Sequence, residues 1–163
     1  MTGVQTCALP IYSDYLRVYE EQPFANPGTS ELAGHVVDLT TVDCDFFIMG
    51  GVTDHITPWK ACYRSTQLFG SKNIEFVLSH SGHIQAILNP PGNPKARFYR
   101  ADGSPPPTPE KWLASAEEVA GSWWPYWMKW LQDRSGKQGA APKSLGSKTY
   151  KPLGPAPGDY ALG

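Results

Sequence analysis

The feature that most constrains the fold is a strand–helix–strand pattern between residues 46 and 79. Residues 46–49 (FFIM) and 74–79 (IEFVLS) form two almost continuously apolar runs. Short apolar runs without polar alternation are typical of parallel strands that are covered on both faces. Because the connection between them is short, the pattern predicts a βαβ unit with parallel strands and a right-handed crossover, and hence an α/β fold.

The connecting segment has the sequence signals of a helix. Thr57 is suited to cap its start, Pro58 to occupy its first position and Gly70 to end it. One predicted face carries five residues at helical spacing: Trp59, Cys62, Tyr63, Thr66 and Phe69.

Further elements are predicted on either side of this unit. Tyrosine and leucine spacing indicates a short helix over residues 12–21, followed by a loop over 22–34 and a strand in HVVDL, residues 35–39. The proline-rich residues 102–110 read as a surface loop, and Thr108 followed by Pro109 is expected to begin another helix.

A tryptophan-rich segment, GSWWPYWMKWLQD, predicts a helix near the end of the chain. Six residues form its apolar face, which is expected to pack on the sheet: Trp123, Trp124, Trp127, Met128, Trp130 and Leu131. From residue 135 onward the chain is rich in Gly, Pro, Ala and Lys, and we expect a loosely ordered tail in which Tyr150 and Tyr160 dock locally.

Composition narrows the class of protein. The chain has 163 residues, 40% of them hydrophobic, which is enough for one domain with a core. The net charge of −1 favours neither nucleic acid nor an anionic membrane as a partner, and no apolar run approaches the ~20 residues of a membrane span. The three cysteines, Cys7, Cys44 and Cys62, suggest neither a disulfide framework nor a metal site, and favour a reducing compartment.

Two side chains that can carry chemistry follow the two predicted strands. Asp54 lies just past the first strand and His83 just past the second. The carboxyl ends of parallel strands open on the same edge of a sheet, so the pattern predicts that this acid and this imidazole meet. The alternative for each residue alone is ordinary, since aspartate commonly forms turns and histidine is commonly a surface residue.

A carboxylate that accepts a hydrogen bond from one imidazole nitrogen leaves the other nitrogen free to take a proton from a nucleophile. The order nucleophile, acid, histidine is that of α/β-hydrolases. However, the sequence contains no Gly-x-Ser-x-Gly or Gly-x-Cys-x-Gly elbow. Cys44 falls at the start of a strand and Cys62 in mid-helix, where core packing is the better explanation.

Three stretches, in order, resemble the carboxy-terminal part of class I and II poly(3-hydroxyalkanoate) synthases: DFFIMGGVTDHITPWKACYRSTQLFG, FVLSHSGHIQAILNPPGNPKARFY and GSWWPYWMKWL. The resemblance implies part of an α/β-hydrolase domain that polymerises (R)-3-hydroxyacyl-CoA into polyester with release of coenzyme A. It assigns Asp54 and His83 to the acid and histidine of a Cys–Asp–His triad. It implies no cofactor, no metal, a homodimeric full-length enzyme and a cytoplasmic location at polymer granules.

The resemblance also predicts how the chain is organised. Residues 1–11 (MTGVQTCALPI) are similar to a translated sequencing adapter, residues 12–134 to the end of the catalytic domain, and 135–163 form the tail. The cysteine is expected upstream of this sequence, so this chain alone is predicted to be inactive. Two alternatives stay open: a fragment of another α/β-hydrolase, such as an esterase or polyester depolymerase, and a non-catalytic granule-binding module.

Two other histidines lie near the candidate pair. His55 directly follows the acid, and we favour a structural role for it. His80 stands three residues before His83, but a metal site is disfavoured because no cysteine or carboxylate cluster accompanies the two.

Overall fold

The structure is a computed structural model that describes residues 3–32 and 34–162, with the side chains of residues 11–32 and 34–161. The chain divides after Trp130 into two compact units. The first unit holds the sheet and the candidate site, and the second holds the tail.

The first unit begins with a helix and a small hairpin. Helix α1, Gly3–Glu21, contains the short helix predicted over residues 12–21. Strand β1, Ser30–Leu32, pairs antiparallel with β2, His35–Val37. The prediction of a loop throughout 22–34 is therefore wrong at β1, because a three-residue strand is too short to show an alternating pattern.

The main sheet has four strands in the order β3–β4–β5–β6. They are β3 Phe46–Gly51, β4 Ile74–Ser79, β5 Arg97–Arg100 and β6 Glu117–Ala120. The parallel pairing of β3 and β4 is confirmed, whereas β5 and β6 add antiparallel pairs that the sequence did not predict. The sheet is therefore mixed and the fold is α/β.

The sequences of β5 and β6 show no apolar strand pattern, because both strands are rich in charged residues. Those charges pair across the strands, with Arg97 Nη1 3.1 Å from Glu118 Oε1 and Arg100 Nη2 2.6 Å from Glu117 Oε1. Cross-strand pairs of opposite charge stabilise a sheet. Their pairing becomes visible only once the two strands lie side by side.

Strand β4 lies inside the sheet and is buried on both faces. On one face Phe76 and Leu78 pack against Tyr63 of helix α2 (Trp59–Arg64) and Trp112 of helix α4 (Pro109–Ser115). On the other face Val77 packs with Phe98 and Trp123. This double coverage is the physical reason for the unbroken apolar run in β4.

Helix α2 differs from its prediction in its start and in its end. It begins at Trp59, and no side chain caps its first turn. The expected Thr57 cap is therefore wrong. After Arg64 the chain continues as a 3₁₀ turn, Ser65–Gln67, so the helix ends before Gly70. Gly70 has a different role, because a Cβ atom there would lie 1.9 Å from the Thr40 carbonyl oxygen.

The proline-rich loop does not project freely from the surface. The hydroxyl of Tyr63 donates to the carbonyl oxygen of Pro106, at 2.5 Å, and the side-chain amide of Gln67 donates to Pro105 and Pro106. Helix α4 then begins as predicted, with the Thr108 side chain accepting from the amide of Lys111 at 3.3 Å.

The tryptophan-rich segment forms helix α5, Trp124–Arg134, which begins directly after the buried Trp123. Packing on the sheet is confirmed for Trp123, whose ring centroid lies 6.1 Å from that of Phe47. Met128 is 47% exposed, so its predicted place on the packed face is wrong. Tyr126 packs there instead, beside Phe47 and Phe98.

The second unit ends in a short helix, α6, Asp159–Leu162. The predicted docking of Tyr150 and Tyr160 is wrong, since their side chains are 78% and 101% exposed. Within the described part of the chain, no helix combines the length and the apolar character needed to cross a membrane.

Candidate active site

The site begins where β3 and β4 end together. In the parallel register Gly51 lies opposite Ser79, and the chain beyond stays joined because the amide of Val52 donates to the Ser79 carbonyl at 2.9 Å. The amide of Thr53 then donates to the Ser81 carbonyl at 3.3 Å. Two loops from different strands therefore leave the sheet side by side.

Gly51 allows this close approach. A Cβ atom at Gly51 would lie 2.7 Å from the backbone oxygen of Ser81 and 2.9 Å from the Cβ of Ala86. Contacts shorter than 3 Å are essentially never made by real Cβ atoms. The absence of a side chain at this position lets the His83 loop lie directly on the end of β3.

Asp54 is held rigidly in its turn. Its Oδ1 accepts from the amides of Ile56 and Thr57, both at 2.9 Å, and its Oδ2 accepts from the Thr57 hydroxyl at 2.8 Å. Only 6% of its side chain is exposed. Thr57, which we predicted as a helix cap, instead orients the carboxylate.

His83 completes the pair. It is the first residue of helix α3, His83–Ile87, and its Nδ1 lies 2.8 Å from Oδ2 of Asp54. The predicted contact is therefore confirmed, while the catalytic role of the two residues stays a prediction. Because a carboxylate can only accept, Nδ1 must donate, and Nε2 of the neutral ring is then the acceptor. The His83 side chain is 35% exposed.

The surroundings of Asp54 favour its ionised form. Burial of the carboxyl group acts to raise its pKa, but the hydrogen bonds from Thr57, His83 and Ile56 outweigh burial. The pKa of Asp54 consequently lies well below its ordinary value. Asp54 is therefore a carboxylate at neutral pH, able to orient an imidazole and to stabilise an imidazolium.

We expect this lowered pKa to make the stability of the chain depend on pH. A carboxyl group whose pKa is lower when folded adds stability above its unfolded pKa of about 3.9, and this stability is lost as the pH falls towards the folded pKa. The Asp54→Asn variant cannot ionise at this position. The difference in unfolding free energy between the native chain and Asp54→Asn should therefore shrink between pH 5 and pH 3.

Urea denaturation at several pH values measures this difference. Asp38→Asn is a suitable comparison, because the pKa of Asp38 is also lowered, by hydrogen bonds from Thr40, while Asp38 caps the 3₁₀ turn Leu39–Thr41 and does not belong to the His83 pair. A difference between the native chain and Asp54→Asn that stays constant down to pH 3 would contradict the lowered pKa of Asp54.

The cysteines with described side chains are poorly suited to act as the nucleophile. Cys44 is exposed and precedes β3, so it lies towards the opposite end of the strand from Asp54. Cys62 lies in α2 with its Sγ 3.6 Å from the Thr57 carbonyl oxygen. Burial and the negative charge of Asp54 raise the pKa of the Cys62 thiol, which disfavours the thiolate. The side chain of Cys7 lies outside the described residues.

The two neighbouring histidines do not take part in the Asp54 contact. Both are exposed, and the ring of His80 lies 6.1 Å from that of Tyr99 on β5. Among the residues that the structure describes, no three His, Cys, Asp or Glu side chains cluster so that they could hold a metal ion.

The fold and the site together define an α/β protein with a carboxylate–imidazole pair at the carboxyl edge of parallel strands. Such an edge is where α/β proteins commonly build their active sites. Neither described cysteine is placed to act as a nucleophile beside this pair.

Comparison with known proteins identifies the relatives of this chain. It is 46% identical over 157 residues to poly(3-hydroxyalkanoate) polymerase 1 of Ectopseudomonas oleovorans and 47% identical over 152 residues to polymerase 2 of the same organism. It is 42% identical over 152 residues to the poly(3-hydroxyalkanoate) polymerase subunit PhaC of Cupriavidus necator. These matches cover 93–95% of the chain, and no family model matches it. Over nearly its whole length, the chain is a homologue of the poly(3-hydroxyalkanoate) polymerases.

The relatives are much longer than this chain. The matched region makes up 28%, 27% and 26% of the three proteins. The chain thus spans about a quarter of the length of the curated relatives it matches. The comparisons support membership of a transferase family in polyhydroxyalkanoate biosynthesis.

Proposed function

We propose that this chain is the carboxy-terminal part of the α/β-hydrolase domain of a poly(3-hydroxyalkanoate) polymerase, and that Asp54 and His83 are its catalytic acid and base. One observation carries the proposal: the 2.8 Å contact between His83 Nδ1 and Asp54 Oδ2, in a chain 46% identical to such a polymerase. The contact leaves Nε2 of His83 available to the reacting groups.

The proposed chemistry is thioester acyl transfer. Nε2 of His83 takes the proton from a cysteine thiol contributed by a part of the polymerase outside this sequence. The thiolate attacks the thioester of (R)-3-hydroxyacyl-CoA, the bond to the coenzyme A sulfur breaks, and His83 returns the proton to that sulfur. The 3-hydroxyl of a bound acyl unit then attacks the carbonyl carbon of a thioester, with His83 again as the base. An ester bond forms, the carbon–sulfur bond of that thioester breaks, and His83 gives the proton to the departing thiolate. Asp54 orients the ring and stabilises its charged form throughout.

The substrate and partners follow from this proposal. The proposed substrate is a coenzyme A thioester and the proposed product is an aliphatic polyester. The thioester is already activated for acyl transfer, so the proposed reaction needs no cofactor. The proposed location is the surface of a polymer granule in the cytoplasm. We further propose that the full-length enzyme is a homodimer. These statements concern the whole polymerase, of which this chain corresponds to about a quarter.

A chimeric polymerase tests the assignment. Residues 12–163 would replace the region of Ectopseudomonas oleovorans polymerase 1 that aligns with this chain, and release of coenzyme A from an (R)-3-hydroxyacyl-CoA would be measured. We expect the chimera to be active and His83→Ala or Asp54→Asn to lower kcat by about a thousandfold or more, as in other triads. His80→Ala, an exposed histidine three residues away, should leave kcat unchanged.

Two results would contradict the proposal: a folded chimera that releases no coenzyme A, or a His83→Ala chimera that remains active.

The purified chain provides a second test, because its sequence contains no Gly-x-Ser-x-Gly or Gly-x-Cys-x-Gly elbow. We expect no coenzyme A release by this chain alone above that of its own His83→Ala variant.

A further inference from the structure

The helix that carries His83 is too short to be stable by itself. Helix α3, His83–Ile87, has five residues and no side-chain cap at Gly82, and isolated helices of this length do not form in water. Its flanking hydrogen bonds run from the amide of Ala86 to the carbonyl oxygen of Gly82 and from the amide of Leu88 to that of Ile84. The carbonyl oxygen of Ile87 accepts from the amide of Asn89 at 3.1 Å, and the last carbonyl groups of so short a helix also accept donors from elsewhere in the fold.

Two tryptophans supply those donors. Nε1 of Trp123 donates to the carbonyl oxygen of Ala86 at 2.8 Å, and Nε1 of Trp124 donates to that of Ile87 at 3.0 Å. Both contacts join residues 37 positions apart in the chain. Just before them, the Ser122 hydroxyl donates to the carbonyl oxygen of Asn89. The end of α3 is thus bonded to a segment that is distant in sequence.

The tryptophans are themselves well anchored. Trp123 is 7% exposed and packs with Val77 and Phe98 on one face of the sheet. The backbone amide of Trp124 donates to the Ser122 hydroxyl at 3.0 Å. The indole donors therefore connect the sheet core to the helix that begins with His83.

We propose that Trp123 and Trp124 are positioning residues, which hold α3 through their indole N–H groups and so keep the imidazole of His83 on Asp54. This inference rests on the proposed catalytic role of His83. Because α3 has only one turn, we expect that releasing its carboxyl end shifts His83, at its first position, relative to Asp54. The two indoles thus act on the site without touching a reacting group.

Hydrogen exchange in the unmodified chain gives the first test. If the indoles hold α3, the helix cannot open while they remain bonded. NMR should therefore show matching protection factors for the indole protons of Trp123 and Trp124 and for the amides of Ala86 and Leu88. Amides of α3 that exchange freely while both indole protons stay protected would overturn the proposal.

A matched pair of variants gives the second test. Trp124→Phe keeps an aromatic ring but removes the donor, whereas Trp127→Phe makes the same change in a ring packed 5.9 Å from Trp123. We expect exchange of the His83 Nδ1 proton to become up to about tenfold faster in Trp124→Phe, the effect of one lost hydrogen bond, and to stay unchanged in Trp127→Phe. No change in Trp124→Phe, or equal changes in both, would overturn the proposal.

The polymerase chimera separates this inference from the proposed function. There, Trp124→Phe should lower kcat by about tenfold to a hundredfold, as misplacement of a catalytic group does, with KM unchanged. Loss of activity in the unmodified chimera would overturn the proposed function and leave the two NMR tests of the tryptophans intact. If Trp124→Phe does not fold, the exchange measurement on the unmodified chain decides the inference.

Discussion

Replacing Trp112 by alanine is expected to lower the unfolding free energy by about 3–5 kcal/mol, the usual cost of removing a buried aromatic ring. Trp112 is 2% exposed, and its ring centroid lies 4.8 Å from that of Phe76 and 5.8 Å from that of Tyr63. It joins α4 to the central strand β4 and to α2.

Urea denaturation followed by tryptophan fluorescence or circular dichroism measures this loss. Leu113→Ala is the matched control, since Leu113 is the next residue of α4 and is 39% exposed. It should cost less than about 1 kcal/mol, because a partly exposed side chain loses less burial. Equal losses in the two variants would show that Trp112 does not anchor α4 to the sheet.

Replacing Gly51 by alanine is expected to break the contact between Asp54 and His83 as well as to destabilise the fold. The added methyl group would lie 2.7 Å from the Ser81 carbonyl oxygen, a backbone atom that also accepts from the amide of Thr53. It would also lie 2.9 Å from the Cβ of Ala86 in α3. Relief of these contacts requires the His83 loop to move away from the end of β3.

Overpacking of this kind costs typically about 1–3 kcal/mol, so Gly51→Ala should still fold at low temperature. NMR can then detect whether the His83 Nδ1 proton remains protected by its bond to Asp54. In the polymerase chimera the same change should lower kcat by about a hundredfold if His83 is the proposed base, because misplacing a catalytic group by about 1 Å has an effect of that size.

Gly82→Ala provides the control for Gly51→Ala. Gly82 immediately precedes His83, its φ is −82°, and the nearest atom to a Cβ there is the Thr53 hydroxyl oxygen at 3.5 Å. This is ordinary contact, so Gly82→Ala should keep both the His83 bond and the stability. Retention of the Asp54–His83 bond in Gly51→Ala would contradict the role of Gly51.

Much of the candidate site could be predicted from the sequence because its parts are close to strand ends. The apolar runs predicted β3 and β4, and parallel strands must open on the same edge, so Asp54 and His83 were expected to meet. The 2.8 Å contact confirms this. The hydrogen bonds that hold the Asp54 carboxylate could not be predicted in the same way. A threonine at position 57 is equally compatible with capping a helix and with donating to a carboxylate.

Elements whose stability comes from distant partners were missed. The charged strands β5 and β6 have no apolar pattern of their own, and pairs such as Arg97 with Glu118 form only when the strands are adjacent. The same holds for the tryptophans. The spacing of the tryptophans predicted an apolar helix face. It did not indicate that two of their indole N–H groups donate hydrogen bonds to carbonyl oxygens at the end of α3.

The sequence by itself determined the parallel β3–β4 pair and the edge on which Asp54 and His83 lie, because apolar periodicity and chain connectivity are local properties. Only the tertiary structure decided which residues hold that pair in place. Hydrogen bonds such as that from Trp123 to Ala86 depend on distance and direction between residues 37 positions apart. Such geometry arises from the packing of the whole sheet, and no short stretch of sequence contains it.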